Sequence, residues 1–465
     1  MVIPDKVTTI GHSAFSNCIG LTAVTLGRSV NTIESNAFTN CHKLIAVTNL
    51  SNLTLRAGDS VNGNVSYYAK LISAADTPIV NKDDYLFVTY DNVHYLMGYI
   101  GDSKNITLPQ GYEGSEYEIY TYAFRNRSDI TRVTVPTAVK AIGYAAFAGT
   151  SLTHITIPFV GAERNAEAAS STTLFGYIFG EEALTGTLET RQEFRDNIYK
   201  TYWIPASLVS VTVTGGSIFR GAFQNCKSIV SVTVGRDVSS IAYGAFHACP
   251  KLVEIINLSS LKIKAGSTDY GSIAANAKLV HSESTKIVNE NGYLFYTLND
   301  TNYLLGYVGT DRSLVLPKSY KNADYRIADY AFYMRADLTS ITMLDGVTAI
   351  GTNAFRSCLG LARITLSNRM TSIAAGAFYG CAALTSITIP DGVTEIGGSA
   401  FWGCYLKSIT LPKSLTQIDD NAFRDSTRLQ DIYYKGSESD WGRIEIGAFN
   451  FVFSVPMIHY NYVTK

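Results

Sequence analysis

The chain has 465 residues, with 38 lysines and arginines against 39 acidic residues and a formal net charge of −1. That balance excludes the basic footprint a nucleic-acid binder needs, and no apolar run approaches the roughly 18–20 residues of a membrane-spanning helix. Length alone allows two or three ordinary domains, but an internal repeat points to one elongated body with two similar halves.

The chain opens at Met1-Val2-Ile3-Pro4, already in mid-repeat, and carries no export signal there. Solenoid ends are normally capped, so an export segment upstream is expected. An Ala-Phe pair then recurs at Ala14-Phe15, Ala37-Phe38, Ala123-Phe124, Ala146-Phe147, Ala222-Phe223 and Ala245-Phe246. It returns at Ala331-Phe332, Ala354-Phe355, Ala377-Phe378, Ala400-Phe401, Ala422-Phe423 and Ala448-Phe449. Six of the neighbouring steps are 23 residues and one is 22. A fixed period in this range means stacked units, each too small to offset its own ordering entropy without neighbours.

Between the second and third markers, Tyr85-Leu86-Phe87-Val88 and Tyr95-Leu96-Met97-Gly98-Tyr99 flank Asp91-Asn92 and predict a β-hairpin. It either projects from the solenoid or packs on it. Residues 159–205 occur only in the first half; Phe175–Gly180 is expected to form a local core, and Glu181–Lys200 a charged helical run that interrupts the stack. A duplication offset by 208 residues then begins, mapping Ala14 to Ala222, Tyr85 to Tyr293, Tyr99 to Tyr307 and Ala146 to Ala354. It brings a second hairpin near 293–307, with its turn at Asn299-Asp300. The expected organisation is a first block at 1–158, an inserted segment at 159–205, a duplicated block at 206–366, and further repeats with a C-terminal cap at 367–465.

The late copies show the register best. Leu338/Leu361/Leu384, Ile341/Ile364/Ile387, Ile350/Ile373/Ile396, Phe355/Phe378/Phe401 and Cys358/Cys381/Cys404 are among eight apolar columns. Ile387-Thr388-Ile389 alternates as a strand with one buried face, whereas Ser399-Ala-Phe-Trp-Gly-Cys404 reads as a short helical or irregular turn. Nine of eleven prolines directly follow Ile, Leu or Val, where a short strand stops.

The phrase Ile-Pro-x-x-Val-Thr-x-Ile-Gly-x-x-Ala-Phe-x-x-Cys-x-x-Leu-Thr-x-Ile-Thr-Ile resembles the repeat of BspA-like leucine-rich repeat proteins. The resemblance covers most of the chain outside 159–205, and Asp440-Trp441 through His459–Tyr462 is similar to the closing segment of such arrays. It implies a leucine-rich-repeat-like solenoid of short parallel strands, an extracellular or cell-surface location in bacteria, and adhesion or protein binding. It brings no catalytic motif.

Seven cysteines all sit three residues after a marker phenylalanine and read as small buried hydrophobes filling one column. No zinc spacing, nucleophile elbow, phosphate loop or dinucleotide glycine pattern is present, so no enzyme, metal or cofactor is expected. Two features suit binding. One is a threonine row at the outward strand position: Thr25, Thr134, Thr156, Thr233, Thr342, Thr365, Thr388 and Thr410. The alternative is that β-branched threonine simply suits an exposed strand. The other is tyrosine in the interruptions, with Tyr90 and Tyr95 as candidate contacts; the alternative is that these rings pack the hairpins down. The candidate partner-binding set is Tyr90, Tyr95, Thr342, Thr365, Thr388 and Thr410. The reading is a non-catalytic surface or secreted protein binding an extracellular protein; a carbohydrate-binding module or an architectural spacer is the alternative.

Overall fold

Alternation around each Ile-Thr-Ile stretch leaves one strand face apolar, and that face must find a core. The computed structural model describes residues 1–73, 79–450 and 457–463. The chain divides into two compact units, Met1–Ser282 and Glu283–Lys465. Each is a parallel β-solenoid with few helices, as the repeat predicts.

In the first unit, Val2–Ile3, Ala23–Leu26, Ala46–Asn49 and Leu71–Ser73 form a four-stranded parallel sheet. Asn105–Thr107, Arg132–Thr134, His154–Ile157, Ser210–Ile218, Ser231–Ile241, Glu254–Asn257 and Leu279–His281 form a seven-stranded one. In the second unit, Ser313–Val315, Ser340–Thr342 and Arg363–Thr365 pair in register, as do Ser386–Thr388, Ser408–Leu411, Asp431–Tyr434 and Met457–His459.

Both expected hairpins form, and both pack into the stack. Tyr85–Tyr90 pairs with Val93–Tyr99 about Asp91 and Asn92, which take left-handed φ of 49° and 59°. Tyr95 and Leu96 then lie opposite Glu118 and Ile119 of the next rung in a parallel pairing. Tyr293–Leu298 and Thr301–Tyr307 repeat this, with Tyr303 opposite Arg326. Phe87, Leu96, Phe295 and Leu304 are buried in the cores.

The turn after each strand pair is irregular rather than helical. Its Ala-Phe pair is flanked by left-handed residues, such as Ser399 and Gly403 or Asn421 and Asp425, and these break any α-helical run. The pair's backbone forms its own ladder: Phe355 N–H donates to Ala377 O, Phe378 to Ala400 O, and Phe401 to Ala422 O, at 2.7–2.8 Å. Phenylalanine rings stack along it, with centroids 5.1 Å apart for Phe332/Phe355 and 5.4 Å for Phe355/Phe378.

The cysteine column does more than fill space. The thiols of Cys41, Cys249, Cys358, Cys381 and Cys404 each donate to the carbonyl of the preceding rung's phenylalanine, at 3.0–3.1 Å. Ser426 makes the same bond from a hydroxyl, to Phe401 O at 2.8 Å. Each of these carbonyls already accepts the backbone N–H three residues on in its own rung, as Phe378 O does from Cys381 N–H at 3.0 Å, so the thiol adds a second donor that ties one rung to the next.

The insert departs from expectation twice. The run from Glu181 to Lys200 contributes to an antiparallel hairpin, Thr187–Arg195 with Ile198–Pro205, rather than a helix. Thr190 and Gln192 are buried between exposed Glu189 and Arg191, a period of two that burial of polar residues disguises in the sequence. Nor does the insert break the stack. His154–Ile157 pairs directly with Ser210–Val213, and on the turn side Phe175–Ile178 occupies the place of an Ala-Phe turn. Phe147 N–H donates to Ile178 O, and Phe175 N–H to Ala222 O, both at 2.9 Å. Phe175, Ile178 and Phe179 belong to the unit's main core.

The last marker also departs. Phe449 is 51% exposed instead of continuing the ring stack. Phe423 N–H is met by the Asn450 side-chain oxygen at 3.0 Å, and Asn450 Nδ2 donates to Asp419 O and Gly447 O. Within the closing segment, residues 451–456 lie outside the described residues.

Candidate functional site

Strands paired in register carry their outward side chains in rows. In the second unit Thr342 lies opposite Thr365, and Thr388 opposite Thr410. Beside them run Ser313, Ser340 and Arg363, and then Ser386, Ser408 and Asp431. The Ser313 and Ser340 hydroxyls are 2.5 Å apart. Thr365 and Thr388 are exposed and Thr342 half-buried, whereas Thr410 is only 8% exposed. The row passes from Thr410 to Tyr433 and His459. Those two rings stack at 4.7 Å, Tyr462 lies 4.7 Å from Tyr433, and His459 Nε2 sits 2.8 Å from Asp431 Oδ1. The result is a hydroxyl-rich face, interrupted by Arg363 and by Asp431 with its His459 partner, that ends in an aromatic cluster.

The first unit's face is more varied. Thr134, Thr156 and Thr233 keep the row with Thr212, but Arg132, His154, Ser210, Ser231 and Glu254 run beside it. Burial and neighbouring Arg132 push His154 down to about 4. Ser231 Oγ donates to Glu254 Oε2 at 2.6 Å. Thr25 belongs to the earlier four-stranded sheet, opposite Thr48.

Most interruption tyrosines are structural. Tyr117 and Tyr325 are buried and donate to Pro109 O and Pro317 O. Tyr112 and Tyr320 stack on Phe87 and Phe295 at 4.0 and 4.2 Å. Tyr90 and Tyr95 lie half-buried near the first hairpin's tip. Tyr95 meets Tyr120 edge-on at 5.8 Å and packs against a small cluster that includes Ile45, Val88 and Met97. They belong to the first unit and the four threonines to the second, so the six candidate residues are two groups on two units.

Sequence reasoning missed two arrangements. Arg127 binds Asp129 and the Tyr99 carbonyl, and Arg335 binds Asp337 and the Tyr307 carbonyl. The 208-residue offset relates every member of these clamps, which was the available signal. The position after each repeat phenylalanine also forms a ladder on the second unit's turn face. Arg356 lies 4.1 Å from the Tyr379 ring, Tyr379 5.3 Å from Trp402, and Arg424 4.6 Å from Trp402. A depression of about 380 Å³ runs beside it, lined partly by Asn353, Gly376 and Ser399.

Burial pushes the Cys41 thiol up to about 11 and those of Cys249 and Cys404 to about 12. Among the described residues no group of three or more His, Cys, Asp or Glu side chains could hold a metal ion. No helix of the described residues is long and apolar enough to cross a membrane.

A family model described as the BspA type leucine rich repeat region matches residues 1–61, 99–171, 197–296 and 312–450, in six copies. Among solved structures, a leucine rich cell surface protein from Faecalibacterium prausnitzii is 25% identical, covering 80% of this chain and 99% of its own, with a TM-score of 0.37. A leucine rich repeat protein of T. pallidum is 26% identical over 34% of this chain and 81% of its own, at a TM-score of 0.31. One from Bacteroides capillosus is 28% identical over 27% and 97%, at 0.25. A search of the curated proteins gives no match.

Proposed function

We propose, from the premise that this chain belongs to the BspA-type leucine-rich repeat family, that it is a non-catalytic binding protein acting at or outside the bacterial surface. Its partner is an extracellular protein, and its sheet face makes the contact. The observation that carries this reading is the row Thr342, Thr365, Thr388 and Thr410 beside its serines, running into the Tyr433–His459 stack. Such a face offers hydroxyl hydrogen-bonding groups with Arg363 and the His459-paired Asp431 as the charges beside them, and an aromatic cluster at its end supplies apolar area for an anchor. The half-buried Tyr90 and Tyr95 are a second contact region on the same reading.

The test is a binding screen of the purified chain, immobilised at physiological salt, against extracellular-matrix proteins. Saturable binding to one of them, weakened about tenfold or more by Thr365→Lys with Thr388→Lys, supports the sheet face. Loss with Tyr90→Ala and Tyr95→Ala instead moves the contact to the hairpin. Binding that neither pair alters removes both surfaces from the proposal.

A further inference from the structure

The insert hairpin of the first unit is fixed to the turn face by buried polar bonds. Gln192 is 0% exposed; its amide nitrogen donates to Ala222 O at 2.8 Å and its oxygen accepts from Gly176 N–H at 3.0 Å. Glu193 N–H donates to Gln224 Oε1 at 2.7 Å. Arg220 bridges Glu193 at 2.8 Å and Asp196 at 2.5 Å. Gly221, at φ +64°, lets the hairpin come this close: a Cβ there would lie 1.8 Å from Glu193 O.

The docking leaves a cleft of about 280 Å³ whose walls are set before anything enters it. Glu193 and Tyr199 line it from the hairpin; Arg220, Gln224, Tyr243 and His247 line it from the rungs. Tyr199, 36% exposed, lies under Arg191 at 4.0 Å, whereas Tyr243 is 81% exposed with the Arg220 guanidinium 5.7 Å away, so Tyr243 is the aromatic area left in water beside a fixed polar wall. Gly244 opens the floor, since nothing lies within 4 Å of where its Cβ would be.

The chemistry narrows the occupant. Arg220 is answered by Glu193 and Asp196, and Arg191 lies 4.0 Å from the Tyr199 ring, so two guanidiniums stand with two carboxylates and no net charge favours an anion. A cation would meet the Arg220 guanidinium. A wholly apolar molecule would strip water from the Gln224 amide and the His247 ring without replacing it. A neutral, hydroxyl-rich ring with an apolar face satisfies both kinds of lining: it stacks on tyrosine and bonds to the polar rim. We propose that this cleft binds a neutral hexose residue of a glycan.

The site is separate from the sheet face, and so is its test. Wild-type protein is titrated against immobilised mannan, galactan and starch, with heparin and chondroitin sulfate as acidic comparators. Saturable binding to a neutral polysaccharide is expected, insensitive to added salt. Tyr243→Ala should weaken it at least about tenfold, with an unchanged circular dichroism spectrum, because that ring is outside the core. His247→Ala should weaken it several-fold. Tyr405→Ala, an exposed tyrosine of the second unit, should leave it unchanged. The inference is overturned if the neutral polysaccharides do not bind, if only the acidic ones do, or if Tyr243→Ala binds like wild type.

Discussion

On the second unit's turn face, the residues after successive repeat phenylalanines are Arg356, Tyr379, Trp402 and Arg424, and each lies on its neighbour. On the first unit's turn face the same position holds Gln224 and His247, and a hairpin from the insert is docked beside them. Both faces use the same backbone ladder beneath: Phe223 N–H bonds Ala245 O as Phe378 N–H bonds Ala400 O. The repeat therefore dictates the inner layer of the turn and leaves the outer layer free. One unit covers its turn with its own long side chains. The other recruits a separate piece of chain, and a cleft results.

Several substitutions break or sharpen that contrast. The largest effect is expected inside the shared layer. Phe378→Ala removes a 0% exposed ring stacked at 5.4 and 5.3 Å between two others and should cost about 3–5 kcal/mol, measured by urea denaturation. Phe449→Ala, half-exposed outside the stack with Arg424 5.6 Å from its ring, should cost clearly less, about 1 kcal/mol.

Next comes the attachment of the hairpin. Gly221→Ala must push the hairpin away and should cost about 3 kcal/mol, with faster hydrogen exchange across Thr187–Pro205. Gly244→Ala, at φ +66° but with open space, should cost only about 1 kcal/mol and leave exchange in the hairpin unaltered. Equal effects at the two glycines would mean that docking is not what Gly221 serves.

The thiol bond should follow at about 1 kcal/mol. Ser426→Ala leaves the Phe401 carbonyl with the Cys404 N–H alone and removes its bond to the next rung, while Ser426→Cys restores the partner used elsewhere in the column. If Ser426→Ala and Ser426→Cys have the same denaturation midpoint, the bond contributes nothing.

A separate effect concerns pH. His154 in the first unit is pushed down to about 4, against an ordinary value of 6.5. Its folded value lies below its unfolded one, so the unfolded chain takes up the proton first. Its contribution is full above pH 6.5 and is lost as pH falls towards 4. His42, also lowered by burial and Arg125, adds to the same slope. Asp129 and Asp337, held down by their arginines, lose stability at lower pH in both units. His154→Gln should flatten the fall in denaturation midpoint between pH 6.5 and 4.5 without abolishing it.

Much of the fold was legible because its core is written as columns. Leu338, Leu361 and Leu384 recur at one spacing, and the structure buries all three. Both hairpins could be read from alternation and their Asp-Asn or Asn-Asp turns. What stayed hidden depends on partners that sequence spacing does not identify. The thiol of Cys381 bonds a backbone carbonyl one rung away, which no residue type announces. The insert strand carries Thr190 and Gln192 on its buried side, and polar residues there look like a solvent-facing helix. The cleft needs that strand docked through Gln192 before Glu193 and Tyr199 meet Tyr243, so its residues share no motif. Of the candidate contacts, the regular threonine row was readable as a row, while the partial burial of Tyr95 came from packing against Tyr120.

The direct pairing of His154–Ile157 with Ser210–Val213 has a consequence for how such chains change over time. The sheet keeps its register past the intervening residues, so recombination on the turn side need not re-solve the architecture. The 159–205 segment enters after one strand and returns the chain in phase, and within it Phe175–Ile178 keeps the turn ladder between Phe147 and Ala222 while the Phe175 ring meets Phe223 at 4.6 Å. The exchangeable part is the Thr187–Pro205 hairpin: a lineage that replaces it while retaining Phe175–Ile178 keeps every rung, and an engineer can graft another there on the same terms.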